Sequence, residues 1–287
     1  MWKVFPIPRY ALKLTYLGTN YKGYQRQPRV KTIEKEILQA LEKCGLIRKN
    51  KLKRYKYEYA SRTDASVHAI SQVIALTLPS EIDEVVINKV NQHLPRDIKI
   101  IGFTQVPSDF SPRYHAIYRH YKYITHYKGE DLIRMKQLAR YILGNHDFKN
   151  ISSKKTDKNT FRRLLAIKIQ KNKDFIHVDV IGRSFCRGMI RKILTLLLEG
   201  GKRNITHKDL SLLLNPIIKN IIPLKYASPN GLILYNIKYS VTFYLIPKAV
   251  INFLEHIKNE LNGNNLLEQI FLSFKSYFMK ANITLKV

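Results

Sequence analysis

Lys56-Tyr57-Glu58-Tyr59-Ala60-Ser61-Arg62-Thr63-Asp64-Ala65-Ser66-Val67-His68-Ala69-Ile70-Ser71-Gln72-Val73-Ile74-Ala75-Leu76-Thr77-Leu78 is the stretch on which the fold turns. Residues 56–61 and 71–78 are rich in aromatic, aliphatic and β-branched side chains and read as two strands. Between them lies a polar loop carrying Arg62 and Asp64. On the N-terminal side, residues 10–16 alternate as a further strand, with the parity of Tyr10 or Ala11 deciding its buried face. Thr32 then stands as an N-cap with Glu34 and Glu36 in the first turn. Ile33, Ile37, Ala40, Leu41 and Cys44 recur at helical spacing up to Gly45. On the C-terminal side, Asp83 opens a helix carrying Val86, Val90 and Leu94, stopped by Pro95, and residues 98–106 return as a strand. The order is β-α-β-β-α-β, the ferredoxin-like unit.

The same order repeats downstream. Residues 118–127 form a strand, and 131–143 a helix with Leu132, Met135, Leu138 and Ile142 on one face. Residues 161–170 and 175–181 are strands separated by a turn at 171–174. Residues 185–198 form a helix with Met189, Ile190, Ile193, Leu194 and Leu197 inward. A short helix follows Thr206, and residues 232–243 are the last strand. Beyond Pro247, residues 250–261 and 266–278 read as an amphipathic hairpin divided by Gly263-Asn264-Asn265, serving to cover the body or, alternatively, to make a dimer contact. The expected fold class is therefore α+β: two ferredoxin-like halves, 1–107 and 108–246, around a cleft, with a helical extension over 247–287.

Fifty lysines and arginines stand against 21 acids among 287 residues, a net charge of +29, while 45% of residues are hydrophobic. A core can be buried, which excludes a disordered chain. Ion-pair enrichment for heat resistance would raise glutamate along with lysine, and the acids do not keep pace. The charge points instead to a polyanionic partner. Two basic clusters are candidates for phosphate contact: Arg48-Lys49-Asn50-Lys51-Leu52-Lys53-Arg54-Tyr55-Lys56, and Lys154-Lys155 with Arg162-Arg163. Cys44 and Cys186 form no CxxC pair, so neither a disulfide framework nor a zinc site is expected, and a reducing cytoplasm fits. His115, His120 and His126 lack ligand spacing and an accompanying carboxylate cluster. The first ten residues are too short and proline-broken for a signal peptide, and no apolar run is long enough to span a membrane.

An aspartate at a loop tip ordinarily bonds its own backbone. Here its surroundings carry more. Arg62-Thr63-Asp64-Ala65-Ser66-Val67-His68-Ala69 closely resembles the active-site signature of the tRNA pseudouridine synthase A family, and other stretches agree in order. These are Tyr21-Lys22-Gly23-Tyr24-Gln25-Arg26-Gln27, then Phe110-Ser111-Pro112-Arg113-Tyr114-His115-Ala116 with Arg119-His120-Tyr121-Lys122-Tyr123. Gly182-Arg183-Ser184-Phe185-Cys186-Arg187-Gly188-Met189-Ile190-Arg191, Gly231-Leu232-Ile233-Leu234 and, more weakly, Gly144-Asn145-His146-Asp147-Phe148 follow. The resemblance runs over residues 9–243. Ser66 departs from the family's usual glycine, Tyr24 from a common tryptophan, and Cys186-Arg187 from its usual leucine; residues 244–287 match nothing.

The resemblance implies a homodimer that isomerises uridine to pseudouridine in the anticodon stem-loop of tRNA, at positions 38–40, with no cofactor and no metal. Asp64 would be the catalytic carboxylate, either as a nucleophile or as a base at the ribose. Arg191 would keep it ionised, although a phosphate contact or a plain surface charge would look the same. Arg62 would hold the flipped nucleotide, with a salt bridge to Asp64 as the alternative. Tyr121 would lie against the uracil, unless it is only a buried strand residue. Leu234 would form an apolar wall, as any core leucine could, and Arg113 would contact the RNA. A non-catalytic RNA-binding module explains the charge equally well, but not Asp64, Arg191 and Tyr121 in family order. A nuclease or methyltransferase lacks its metal ligands or glycine-rich loop.

Overall fold

A computed structural model describes residues 7–153, 159–218 and 222–281. Lys154 and Lys155 of the second basic cluster lie outside them. The chain is a mixed α/β protein, and its elements run in the order β1 (Arg9–Tyr16), α1 (Ile33–Lys43), β2 (Glu58–Tyr59), β3 (His68–Thr77), α2 (Glu84–His93), β4 (Ile98–Val106), β5 (Tyr118–His126), α3 (Leu132–Tyr141), β6 (Gly144–Asp147), β7 (Phe161–Asn172), β8 (Phe175–Gly182), α4 (Met189–Gly201), α5 (His207–Leu214), β9 (Leu232–Lys238), β10 (Tyr244–Leu245), α6 (Pro247–Asn259) and α7 (Asn265–Lys280). They form two compact units, with chain divisions after Ile117 and after Tyr235.

The first unit carries strands in the order β10-β4-β1-β3, with β2 on the outer edge of β3, and all of these pairs are antiparallel. Leu12 and Leu14 of β1 and Ile33, Ile37 and Leu41 of α1 are fully or nearly fully buried. Asp83 caps α2 as its sequence position suggests, its carboxylate accepting from Val86 N at 2.8 Å. The inward face of α2 is Ile87, Val90 and Asn91, one residue on from the Val86 phase. Thr32 caps α1 by position only, and its hydroxyl makes no side-chain cap bond. Neighbouring loop carbonyls satisfy the first helical amides instead, with Ile33 N donating to Gly23 O and Glu34 N to Tyr24 O. Helices α6 and α7 pack in this unit. Phe253 and Phe274 meet at 5.6 Å between ring centroids, and Tyr277 receives a 3.3 Å bond from Lys13 on β1.

The second unit has the order β9-β5-β8-β7-β6, with β5, β8, β7 and β6 successively antiparallel. Asp131 caps α3, and Thr206 with Asp209 closes a capping box on α5. Several boundaries differ from the sequence pattern for local reasons. β2 is short because turn bonds hold residues 52–57 and Lys56 sits at φ +44°. The chain before α4 is a loop, not helix: Gly188 sits at φ +71°, and Phe185 and Cys186 are apolar residues facing inward from irregular backbone. β9 stops at Lys238, and the chain leaves its ladder before pairing Tyr244 with Phe103 as β10. β6 carried no alternating pattern in Gly144-Asn145-His146-Asp147.

Candidate active site

The Asp64 loop is fixed at both ends. At its start, the buried Gln72 amide bonds Ser61 twice, accepting from Ser61 N at 3.2 Å and donating to Ser61 O at 2.6 Å. At its end, buried His68 accepts from Gly18 N through Nδ1 at 3.2 Å. Between them, Val67 N donates to Asp64 O at 3.2 Å and Ser66 has φ +63°. A four-residue turn with a positive φ at its third position has the type II signature. Asp64 is its first residue and is half-buried, while Thr63 beside it is buried and Arg62 exposed.

A second loop, residues 18–31, lies flat against this turn. Tyr24 N donates to Thr63 O at 3.0 Å and Ser66 N to Tyr21 O at 3.4 Å. The approach requires Gly18, where a Cβ would come within 2.1 Å of Val67 O. Behind the two loops runs a chain of tyrosines. Tyr16 shares a 2.8 Å hydroxyl bond with Thr63, and Tyr24 packs on Tyr59 at 4.9 Å between ring centroids. Tyr59 in turn accepts from Arg62 Nε at 3.0 Å. Burial raises the Tyr24 phenol well above its ordinary value, with Tyr57 adding to the shift, so it stays protonated and structural. This tyrosine chain was missed from sequence. Tyr57 and Tyr59 sit two apart on one face of a strand segment, which was its only trace.

Arg113 lies in the same unit, exposed on the segment that follows β4. That segment is tied down along its length. Buried Arg9 donates to Phe110 O at 2.8 Å, Ser111 Oγ bonds Glu58, and Tyr239 donates to Pro112 O at 2.6 Å.

The second unit holds Tyr121, Arg191 and Leu234. Tyr121 is buried on β5, opposite Val180, with Phe185 edge-on to its ring at 5.4 Å and 87°. Phe185 belongs to the Gly182-to-Arg191 stretch, where nothing in the sequence singles it out from other apolar residues. Tyr123 shares the face of Tyr121; burial pushes its phenol up while the Arg191 charge opposes the shift. Arg191 lies in the first turn of α4. Its Nε donates to Ala227 O at 2.7 Å, and its guanidinium stands 5.2 Å from the Tyr226 ring centroid. Leu234 is fully buried on β9. Thus Arg62 and Asp64 share one loop of the first unit, and Tyr121 and Arg191 border one aromatic face of the second. His115, His120 and His126 are not gathered, and among the described residues no group of three His, Cys, Asp or Glu is placed to hold a metal.

A family model described as tRNA pseudouridine synthase matches residues 138–240. The chain is 39% identical over 234 residues to the tRNA pseudouridine synthase A of Methanosarcina mazei, covering 80% of this chain and 84% of that one. It is 36% identical to the protein of the same name from Methanothermobacter thermautotrophicus, covering 82% of each chain. To the one from Thermococcus sibiricus it is 35% identical over 271 residues, 92% of this chain and 99% of that one.

Proposed function

The chain belongs to the tRNA pseudouridine synthase A family, and from that premise we propose that Asp64 is the carboxylate on which its reaction depends. The enzyme isomerises uridine to pseudouridine in tRNA. The N1–C1′ bond breaks, the base turns, and C5 bonds to C1′; the C5 proton leaves and N1 regains one. No electron, group or water is exchanged with the surroundings, so the chemistry calls for no cofactor.

The observation that carries the assignment is the presentation of Asp64. It stands first in a turn braced by Gln72, His68 and the 18–31 loop, with Arg62 two residues away. Such bracing suits a group that must meet one atom of a flipped nucleotide. Either of two roles suits it, nucleophile or ribose base. In this reading Arg62 holds the flipped conformation and Arg191 is the second cation that the family resemblance assigns to the reaction. Tyr121 lies against uracil and Leu234 walls the pocket. Arg113, on its pinned segment, contacts phosphate.

A basic cleft takes the RNA, and the finer reading of the fold is that each unit is ferredoxin-like. The orders β4-β1-β3-β2 and β9-β5-β8-β7 support it, because each places the first strand of a β-α-β-β-α-β unit between the last and the third. A homodimer acting in the cytoplasm on positions 38–40 of the anticodon stem-loop completes the reading; its support is the family resemblance. Among the described residues no helix is long and apolar enough to cross a membrane.

The test is Asp64→Ala against unmodified tRNA, with pseudouridine mapped by position. Turnover should fall by at least about 10²–10⁴-fold while tRNA affinity is kept. Product at positions other than 38–40 would correct the site preference. Substantial turnover by the variant would overturn the role of Asp64 and put the reacting carboxylate elsewhere, whereas tRNA binding with no turnover by the wild type would favour an RNA-binding module.

A further inference from the structure

Between α1 and β2 the chain makes a compact excursion that the catalytic reading leaves unused. Lys49–Lys51 form one 3-10 turn. Further turn bonds follow, from Arg54 N to Lys51 O at 2.9 Å, Tyr55 N to Leu52 O at 3.1 Å and Lys56 N to Lys53 O at 3.2 Å. Tyr55 anchors both sides: its hydroxyl accepts from Arg48 N at 3.2 Å and its carbonyl from Thr77 N at 2.7 Å. Arg26 and residues 49–54 line an open concavity of about 440 Å³. Five of the lining side chains are cations and none is a carboxylate.

Lys49 is paired with Glu42 at 3.0 Å and Arg26 with Glu34 at 3.6 Å. Among the described residues no carboxylate pairs with Lys51, Lys53 or Arg54, all of them exposed. Cations held together on an ordered turn repel one another, and an anion that enters relieves this. The concavity is far larger than one phosphate group, which suits a run of sugar–phosphate backbone.

Its position is tied to Asp64 through one unit of the protein. Arg26 lies in the 18–31 loop, two residues on from Tyr24, whose N bonds Thr63 O. Beneath the excursion, Tyr57 shares a 3.0 Å hydroxyl bond with Tyr24, Tyr24 packs against Tyr59 with the rings tilted by 55°, and Tyr59 holds Arg62. We propose that this concavity binds the backbone phosphates of the substrate RNA, at a place set by the tyrosine chain relative to the nucleotide at Asp64. The proposal rests on the reading of tRNA as the substrate.

The test is the variant Lys51→Ala/Lys53→Ala/Arg54→Ala, with tRNA binding titrated across a salt series. Each released phosphate contact removes about 0.9 from the slope of log K against log salt. The slope should fall by about 0.9 for each of the three cations that meets a phosphate, up to about 2.7 in all, affinity should fall about tenfold or more, and pseudouridine formation at subsaturating tRNA should fall with it. Ethylation interference should name phosphates whose modification blocks the wild type but not the variant. The variant Lys51→Arg/Lys53→Arg/Arg54→Lys keeps the charge and should bind as wild type, which separates charge from folding. Unchanged slope and affinity in the alanine variant would overturn the proposal. So would millimolar inorganic phosphate protecting the site without affecting tRNA affinity, which would mark a free-anion site. Should the wild type make no pseudouridine, the catalytic reading falls while the binding titration still judges the concavity.

Discussion

Ser66 shows what a single residue costs at this site. Its φ of +63° belongs to the left-handed region, which costs an L-residue roughly 1–2 kcal/mol. Glycine would remove that strain but lose about 0.5–1 kcal/mol to its freer unfolded chain. Ser66→Gly should therefore raise stability by about 0.5–1 kcal/mol and leave turnover unchanged, read as a higher urea midpoint. Ser66→Val should lower it, since a β-branched residue suits a positive φ least. A glycine variant less stable than wild type would show that the hydroxyl makes a contribution larger than the strain. Sequence made the turn legible, because a polar loop between two strands needs one. It did not make Arg62's bond to Tyr59 legible, because that pairing depends on how the strand end meets the loop.

At the scale of elements, caps and apolar periodicity carried most of what could be read. Asp83, Asp131 and Thr206 cap where their positions imply, since a cap is a local arrangement of a few residues. What escaped was set by register. β5 and β8 pair Lys122 with Asp179, which puts His120, Lys122 and Asp179 in one cluster at 2.6 Å and 2.8 Å. Burial would raise the Asp179 carboxyl, but the His120 hydrogen bond and the Lys122 charge outweigh it and hold it below its ordinary value. His177 on the same strand is also lowered, by burial first and then by Lys122. A depressed folded pKa contributes stability above the unfolded value that is lost as pH falls through the folded one. Acid should therefore weaken the second unit in two stages, below about pH 6.5 for His177 and below about pH 4 for Asp179. Asp179→Asn leaves Lys122 without its counter-charge and should cost about 3 kcal/mol near neutral pH. Its deficit against wild type should shrink as the pH drops below about 4. A deficit independent of pH, measured by urea midpoints across the series, would show that the loss comes from packing.

For the molecule as a whole, the charge of +29 was the plainest signal in the sequence. It says that a polyanion binds, but not where. Arg113 tests the placement. It is exposed, yet the segment that carries it is held by Arg9, Glu58 and Tyr239, so its guanidinium is offered from a fixed backbone. A contact of that kind loses little to ordering on binding. Arg113→Ala should lower tRNA affinity and reduce the slope of log K against log salt by about 0.9, one phosphate's share. Asp64→Ala should leave the slope where it is, since a carboxylate neutralises no phosphate. The two variants thus separate grip from chemistry in one titration series. If Arg113→Ala changes neither affinity nor slope, the RNA passes elsewhere on the first unit. If the wild-type slope is itself near zero, the charge is not the means of recognition, and the RNA must be held by stacking and neutral hydrogen bonds, which salt leaves nearly unchanged.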